Sequence, residues 1–244
     1  MRIIIFLASL LWALPVAAQQ RTVTFSSVDG CKIEAFYLAP SSGALVFVNA
    51  HGLGSDKGEW GSFQKQLKAG GYGYLSLDLR GHGGSTVCGG KKIHYTSLDE
   101  AGWNAAAKDI EAAAGWLTRR GIKAERLVFC GASIGANLSL KAAAEGQLKP
   151  AALVLLSPGI SYAGVRTPEN FTAPRAFRAL VVAARNDGYA WESAAALNRA
   201  AAAKGLPVYA LEGRAGHGVD MFKTPSVIPA ILSWVTPPAP AGQK

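Results

Sequence analysis

The fold of this protein is decided by one stretch, Leu127-Val128-Phe129-Cys130-Gly131-Ala132-Ser133-Ile134-Gly135-Ala136-Asn137, which leads from an apolar run typical of a strand into a run typical of a helix. A tight turn of the form Gly-x-Ser-x-Gly lies between them, with Ser133 at its centre. A serine at such a turn has a strained backbone, so Gly131 and Gly135 leave space that larger residues would fill. We therefore expect Ser133 to be exposed, with the N–H groups and positive dipole end of the helix directed toward its oxygen.

The Gly-x-Ser-x-Gly pattern is short, and its glycines would also suit an ordinary β–α turn in which they serve packing. Its position between a strand and a helix favours a functional serine. The weight of this interpretation depends on partners elsewhere in the chain.

The rest of the chain alternates strand-like and helix-like runs after an opening hairpin at Asp29-Gly30. This order predicts one α/β domain built around a mostly parallel, eight-stranded sheet flanked by helices. The other strands are expected at residues 21–28, 32–38, 44–49, 72–77, 151–156, 179–183 and 207–211. Helices are expected at residues 60–69, 98–120, 134–145, 189–204 and 219–234, the last interrupted or kinked by Pro225 and Pro229.

Polar motifs follow the expected strands at the point where each strand ends. The carboxyl ends of parallel strands lie at one edge of a sheet, which is where α/β proteins build their sites. The convergence of these motifs is stronger support for a site than any one of them. They are residues 51–54, residues 78–85, Ser133, Asp187 and His217.

Serine becomes a strong nucleophile when a histidine accepts its proton and an acid holds that histidine in the required tautomer. Of the four histidines, His217 is the expected base, because it lies between two glycines after the last strand. His51 and His82 lie in tight glycine loops, and His51 is expected to be structural. His94 lies in a long loop beside two lysines.

Asp187 is the expected acid. It follows the strand before the one that leads to His217, and it lies thirty residues before His217 in the chain. Asp78 and Asp220 are rivals. Asp78 directly precedes a glycine-rich loop, where bracing that loop is the expected role. Asp220 is too near His217 along the chain to orient its ring easily.

An oxyanion hole requires two backbone N–H groups, one of which comes from the residue after the nucleophile. Here that residue is Ile134. The second N–H is expected from the loop after the first buried parallel strand, with Leu53 as first choice and Gly52 as second.

On these residues the chain resembles the α/β-hydrolase superfamily over nearly its whole mature length. Within the superfamily it is similar to compact dienelactone-hydrolase-like and serine-aminopeptidase-like esterases, which the residues around His217 also match. The resemblance implies the α/β-hydrolase fold and an acyl-enzyme mechanism without a cofactor. No metal site is expected, because ligand spacing such as Cys-x-x-Cys is absent from the sequence. Ser133 would attack an ester-like carbonyl, His217 would move the proton, and water would release the acid.

The chain departs from many members of this superfamily in one segment. Residues 157–178, which contain three prolines, stand where such proteins insert a helical cap of several dozen residues. We therefore expect little or no cap and an open site. Ser157, Tyr162, Tyr189 and Trp191 are candidates to shape its mouth, although each also fits a packing or surface role.

A carboxylic-ester hydrolase is the first functional hypothesis. A peptidase, lactonase or thioesterase of the same fold would use the same residues. A catalytically inactive envelope binding protein would be expected to lack Ser133, Asp187 or His217, and all three are present. A nucleotide-binding enzyme is disfavoured, because the glycine spacing around Ser133 differs from Gly-x-Gly-x-x-Gly.

The first 18 residues resemble a secretory signal peptide, with a basic start, a short apolar run and small residues before the expected cut. A retained membrane anchor is the alternative for this segment. The expected hydrolase domain covers residues 19–236, and the Pro/Ala/Gly-rich residues 237–244 are expected to be a disordered tail. The mature protein is therefore expected in the periplasm or outside the cell, with no stable membrane span.

Charge and cysteines set further limits on partners. The net charge of +9 is spread along the chain, which fits a solvated basic surface and gives no nucleic-acid-binding arm. A small ester or acyl compound is the expected partner, and the oligomeric state stays open. Cys130 is expected to be buried, while Cys31 and Cys88 are candidates for a disulfide whose formation the sequence leaves open.

Overall fold

The computed structural model describes residues 19–170, 178–206 and 208–236. The predicted signal peptide and the predicted C-terminal tail lie outside these ranges, so both stay predictions. Within the described ranges, no helix is both long and apolar enough to cross a membrane.

Ten strands of the described chain form one sheet, and eight of them have five or more residues. Two further strands of two residues each form a separate hairpin. In chain order the strands are β1 (Arg21–Ser26), β2 (Cys31–Leu38), β3 (Val46–Ala50), β4 (Gly73–Leu77), β5 (Val87–Cys88), β6 (Lys91–Lys92), β7 (Leu127–Ala132), β8 (Ala152–Leu156), β9 (Ser161–Tyr162), β10 (Val165–Arg166), β11 (Ala179–Ala183) and β12 (Val208–Glu212).

The strands of the large sheet lie in the order β12-β11-β8-β7-β3-β4-β2-β5-β6, with β1 paired to β2. The six strands from β12 to β4 run parallel, whereas β1 and β2 form the predicted antiparallel hairpin. Gly30 has a φ of 83° at the turn of that hairpin, a conformation that favours glycine. The predicted mostly parallel α/β sheet is confirmed.

Six α-helices of the described chain cover the two faces of this sheet. They are α1 (Gly61–Ala69), α2 (Glu100–Ala105), α3 (Ala107–Thr118), α4 (Ile134–Glu145), α5 (Gly188–Ala202) and α6 (Val227–Val235). Residues of α2 to α5 belong to the hydrophobic cluster on one face, and residues of α1 and α6 belong to the cluster on the other. Successive residues of β3 and β7 alternate between the clusters, as expected for strands buried on both faces.

Two helix predictions need correction. The helix expected at residues 98–120 is divided at Ala106. At this point backbone N–H groups donate to carbonyls three residues earlier, instead of four as in an α-helix, and the turn is tighter. The helix expected at residues 219–234 is a 3₁₀ segment, Gly218–Lys223, followed by α6. Pro225 lies between the two. Pro229 lies in the first turn of α6, where its missing N–H would have no intrahelical partner.

The described part of the segment after β8 contains the β9–β10 hairpin. Asn137 anchors the hairpin region to α4, because its Nδ2 donates to the Val165 carbonyl at 2.7 Å and its Oδ1 accepts from the Gly159 N–H at 3.0 Å. Both bonds are buried. The hairpin is therefore fixed against the helix that begins next to Ser133.

Cys31 and Cys88 form a disulfide that joins β2 to β5. The sequence left this pairing open. Cys130 is the free cysteine of the described chain and is fully buried, as expected.

Candidate active site

The turn between β7 and α4 places Ser133 in a conformation that side chains rarely adopt, with φ at 55° and ψ at −122°. A Cβ at Gly131 would overlap the backbone of Gly135, and a Cβ at Gly135 would overlap the carbonyls of Ala50 and His51. Both glycines are therefore required by close backbone approach, as the motif predicts. The residual strain at Ser133 is of the kind found at functional turns.

Ser133 lies at the base of a cleft of about 440 Å³ and is 9 % exposed. The expectation that this serine is exposed is therefore wrong. Leu53 and Glu59 from the segment after β3, and His217 from the loop after β12, line the same cleft.

His217 and Asp187 are brought together by the loops that follow β12 and β11. Nδ1 of His217 lies 2.7 Å from Oδ2 of Asp187, and the imidazole is partly exposed. A neutral His217 that donates its Nδ1 proton to this carboxylate keeps the lone pair of Nε2 free to accept a proton.

The loop that carries His217 is held from both sides. The Gly216 N–H donates to Oδ1 of Asn186 at 3.1 Å, and the Gly218 N–H donates to Oγ of Ser157 at 2.9 Å. Asn186 therefore holds the histidine loop while its neighbour Asp187 holds the imidazole. Ser157 has a structural role here, beneath the cleft rather than at its mouth.

Ser133 and His217 both line the cleft, but no hydrogen bond joins their side chains in the described structure. The ring of Tyr162 on β9 lies edge-on to the His217 ring, with 6.3 Å between the ring centroids, and the Tyr162 hydroxyl donates to the Ser157 carbonyl at 3.3 Å. Hydrogen bonds between catalytic groups are often long without substrate and shorten when it binds.

Three backbone N–H groups of the loop after β3 donate hydrogen bonds within the protein. The Gly52 N–H donates to Oε1 of Glu59 at 3.0 Å, the Gly54 N–H to Nε2 of His82 at 3.3 Å, and the Ser55 N–H to the Gly52 carbonyl at 3.2 Å. Among the hydrogen bonds of the described residues, the Leu53 N–H donates none.

Ile134 is the first residue of α4, so its N–H has no carbonyl within the helix to bond. The N–H of Ser133 is occupied by the Leu156 carbonyl at 2.9 Å. Neither the Leu53 N–H nor the Ile134 N–H therefore donates a hydrogen bond to another described residue, and Leu53 lines the cleft.

Asp78 and His51 brace the loops, as expected. The Asp78 carboxylate accepts from the N–H and Nζ of Lys57 and from the Gly84 N–H, each at 2.7 Å. Nε2 of His51 accepts from the Leu79 N–H at 3.0 Å, and its Nδ1 lies 2.7 Å from the Gly52 carbonyl. Burial and the neighbouring His82 lower the pKa of His51 to about 4, so the imidazole is neutral.

The other candidate residues take different positions. Asp220 lines the cleft, and its carboxylate pairs with Lys223 at 2.6 Å. His94 is exposed and bonds to Thr96. Trp191 lines a separate cavity of about 350 Å³ between α5 and the last two strands of the sheet, so it is not at the mouth of the cleft.

Glu59 lines the cleft, and sequence reasoning did not single it out. Its carboxylate holds the Gly52 N–H and also interacts with Ser55, while burial raises its pKa. In the sequence it is one charge among several near the start of a helix, and no spacing rule connects it with residue 52. Only the folded loop shows the contact.

No group of three or more His, Cys, Asp or Glu side chains within the described ranges is arranged to hold a metal ion.

Residues 40–204 match the family model described as serine aminopeptidase, S33. The chain belongs to this family. The match places this hydrolase in the α/β-hydrolase superfamily, as its motifs suggest. It includes Ser133 and Asp187 and ends before His217. No curated protein sequence matches the chain.

Solved structures share the fold of this S33-family hydrolase. An esterase from Pyrococcus furiosus aligns with a TM-score of 0.70 at 16 % identity, covering 89 % of this chain and 92 % of that one. A dienelactone hydrolase from Anabaena variabilis aligns with a TM-score of 0.65 at 20 % identity, covering 90 % of this chain and 95 % of that one. An acylaminoacyl peptidase from Pyrococcus horikoshii aligns with a TM-score of 0.69 at 14 % identity. The aligned part is 93 % of this chain and 43 % of the peptidase chain. At these identities the likeness shows the fold alone.

Proposed function

We propose that this S33-family hydrolase cleaves small carboxylic esters through an acyl-enzyme intermediate. Ser133 is the nucleophile, His217 the general base and acid, and Asp187 the residue that orients His217. Leu53 and Ile134 donate the oxyanion hole. No cofactor takes part in this mechanism.

One observation carries the proposal. The Asp187–His217 pair, joined at 2.7 Å, opens into the same cleft as Ser133, whose backbone is strained. Among the described residues, the N–H groups of Leu53, which lines the cleft, and of Ile134, which follows Ser133, donate no hydrogen bond. Acyl transfer needs a nucleophile, an oriented base and two oxyanion donors, and these residues supply all of them.

The reaction follows from the hydrogen-bond pattern. With its Nδ1 proton held by Asp187, His217 accepts the Ser133 proton on Nε2 as Oγ attacks the carbonyl carbon. The carbonyl oxygen gains negative charge and is stabilised by the Leu53 and Ile134 N–H groups. His217 returns the proton to the leaving alcohol. Water then attacks the acyl-enzyme by the same route and releases the acid.

The form of the cleft supports small acyl groups. Its volume of about 440 Å³ lies within the ordinary range of small-molecule sites, and the described part of the segment after β8 adds only a short hairpin to the fold. A long acyl chain would extend into solvent. The esterase and the dienelactone hydrolase that share the fold agree with this substrate class.

We also propose that the mature enzyme works in the periplasm or outside the cell. The signal-like segment at residues 1–18 motivates this proposal, and the Cys31–Cys88 disulfide supports it, since such bonds persist in oxidising compartments. Fractionation of cells that express the full chain would test it. A protein found only in the cytosol with its first 18 residues intact would refute it.

The deciding experiment is hydrolysis of p-nitrophenyl esters, from acetate to octanoate, by the mature protein and by Ser133→Ala. We expect turnover of the short esters and a loss of at least about a thousandfold in kcat for the variant. A serine-directed fluorophosphonate should label the wild-type protein and leave Ser133→Ala unlabelled.

A matching serine control is Ser42→Ala, which removes a hydroxyl of an exposed residue in the loop before β3. It should retain fluorophosphonate labelling. If wild-type protein neither turns over esters nor accepts the label, the esterase proposal fails. A lactone, a thioester and an aminoacyl p-nitroanilide in the same assay show whether another acyl compound is the better substrate.

A further inference from the structure

His82 bonds to the loop that carries Leu53, and the proposed mechanism gives its side chain no role. The Gly54 N–H donates to Nε2 of His82 at 3.3 Å. On the other side of Leu53, the Gly52 N–H donates to the Glu59 carboxylate at 3.0 Å. The Leu53 amide therefore lies between two neighbours whose N–H groups are both held by side chains.

The His82 ring is buried and held from several sides. The side chain belongs to a residue that is 3 % exposed. The Tyr95 ring stacks on it, with 4.3 Å between the centroids and 11° between the planes, and the rings of His51 and Trp103 lie at 4.7 and 5.7 Å. The Tyr95 N–H donates to the Gly81 carbonyl at 3.1 Å, which holds the stacking ring in turn. A ring fixed in this way can fix the amide that bonds to it.

The hydrogen bonds of the His82 ring assign its proton. The Gly54 N–H is a donor, so Nε2 is the acceptor and carries no proton. Nδ1 then carries the proton and donates to the Arg80 carbonyl at 3.1 Å. Burial lowers the pKa of His82, and His94 acts in the same direction, while the backbone contacts and Asp78 act against it. The ring is therefore neutral at pH 7, the form that the Gly54 bond requires.

The bonds of His51 and His82 act on successive peptide units of the loop. Each unit is planar, so holding one atom of a unit fixes the direction of the whole unit. The unit that carries the Leu53 N–H also carries the Gly52 carbonyl, which lies 2.7 Å from Nδ1 of His51. The next unit carries the Gly54 N–H. With both units held, the Leu53 N–H keeps one direction.

We propose that His82 is a positioning residue of the oxyanion hole, which fixes the direction of the Leu53 N–H through its bond to Gly54. The proposal rests on the proposed function, because it requires Leu53 to be an oxyanion donor. His82 itself touches neither the substrate nor the reacting atoms.

The first test is His82→Phe, which keeps a ring against Tyr95 and removes the acceptor for the Gly54 N–H. We expect kcat for p-nitrophenyl acetate to fall about tenfold, less than the hundredfold or more that follows complete removal of an oxyanion donor. KM should stay within about twofold, because the oxyanion forms only after the substrate has bound.

Butyl trifluoromethyl ketone tests the oxyanion hole separately from turnover. When Oγ of Ser133 bonds to its carbonyl carbon, the Ser133 proton passes to Nε2 of His217 and the carbonyl oxygen becomes an anion. This adduct resembles the transition state, so its inhibition constant in His82→Phe should rise by the same factor as kcat falls. A role confined to packing would lower the thermal unfolding temperature without this matched rise.

Two amide variants separate the hydrogen bond from the packing of the ring. In His82→Gln the side-chain oxygen can reach the position of Nε2 and accept from the Gly54 N–H. In His82→Asn the shorter side chain reaches only the position of Nδ1, beside the Arg80 carbonyl. Both variants lose the ring, but kcat of His82→Gln should be at least about threefold higher than that of His82→Asn. This pair decides the question even where His82→Phe does not fold.

The matched control is His94→Phe, the same exchange at an exposed histidine whose ring lies 4.5 Å from that of Tyr95. We expect its kcat and inhibition constant to stay within about threefold of wild type, as for most surface substitutions.

The outcomes separate this proposal from the proposed function. An active wild-type protein with unchanged kcat and inhibition constant in His82→Phe overturns the role of His82 and leaves the esterase proposal standing. Equal losses in His82→Gln and His82→Asn assign the effect to packing and also overturn it. A wild-type protein that is inert to esters and to the fluorophosphonate label removes both proposals.

Discussion

The Gly52 N–H donates to the Glu59 carboxylate at 3.0 Å, and this bond leaves Leu53 as the free donor of the loop. Two N–H groups of the same loop competing for one oxyanion would leave its position undefined. In the proposed mechanism, Glu59 therefore removes the Gly52 N–H from competition and leaves the Leu53 N–H as the donor.

We expect Glu59→Ala to lower kcat by about tenfold or more with little change in KM, because a displaced oxyanion donor weakens only the transition state. Steady-state kinetics with p-nitrophenyl acetate measures both constants. Glu59→Gln is the control, since its amide oxygen can accept the same bond, and it should lose much less. Equal losses in the two variants would point to the charge of Glu59 rather than to its bond with Gly52.

Asp187→Asn should lower kcat by about a thousandfold or more, because an amide that donates to Nδ1 moves the imidazole proton to Nε2. The matched variant is Asp220→Asn, since Asp220 lines the same cleft and its carboxylate pairs with Lys223 of the same 3₁₀ segment. It should retain most of the activity. A larger loss from Asp220→Asn than from Asp187→Asn would reverse the assignment of the acid.

The stability of the protein should fall as the pH drops below 6.5, because His51 is buried in its neutral form. Its pKa is lowered from 6.5 to about 4, first by burial and then by His82. Between pH 6.5 and pH 4 the unfolded chain binds a proton that the folded chain does not bind. The free energy of unfolding therefore decreases as the pH falls through this range. At pH 5 the loss from His51 is about 2 kcal/mol.

Urea unfolding at pH 7 and at pH 5 measures this loss. In His51→Gln the difference between the two free energies should shrink, even though the variant is less stable at pH 7. The exposed His94 is the control, and His94→Gln should keep the wild-type difference. An unchanged difference in His51→Gln would show that another group accounts for the pH dependence.

The Cys31–Cys88 disulfide closes a loop with a sequence separation of 57 residues, so removing it should destabilise the protein. We expect Cys31→Ser/Cys88→Ser to lose about 2–4 kcal/mol of unfolding free energy. Reductant should lower the stability of wild-type protein and leave that of the double variant unchanged.

Thiol titration in denaturant provides a separate check. Unreduced protein should show one thiol, that of Cys130, and reduced protein should show three. Three thiols without reductant would contradict the disulfide.

The features that are local in the chain could be predicted from the sequence. The turn around Ser133 could be read because its glycines lie within two residues of the serine, and backbone sterics act over that distance. The parallel sheet followed from the alternation of apolar runs, and the order of the site motifs followed from the strands that precede them. By contrast, the tightened turn at Ala106 has no marker in an alanine-rich segment, and the sequence predicted one continuous helix there.

The contacts between distant segments were decided only by the tertiary structure. Nothing in the sequence connects Glu59 with Gly52, or the ring of Tyr162 with that of His217, and the sequence left open whether Cys31 and Cys88 form a disulfide. These contacts depend on where loops lie after the sheet has formed, and each is decided by a few ångströms in the path of a loop. Hydrophobic periodicity fixes which elements form, because burial of apolar surface depends on pattern alone. Hydrogen bonds depend on distance and direction, and only the packed structure sets both.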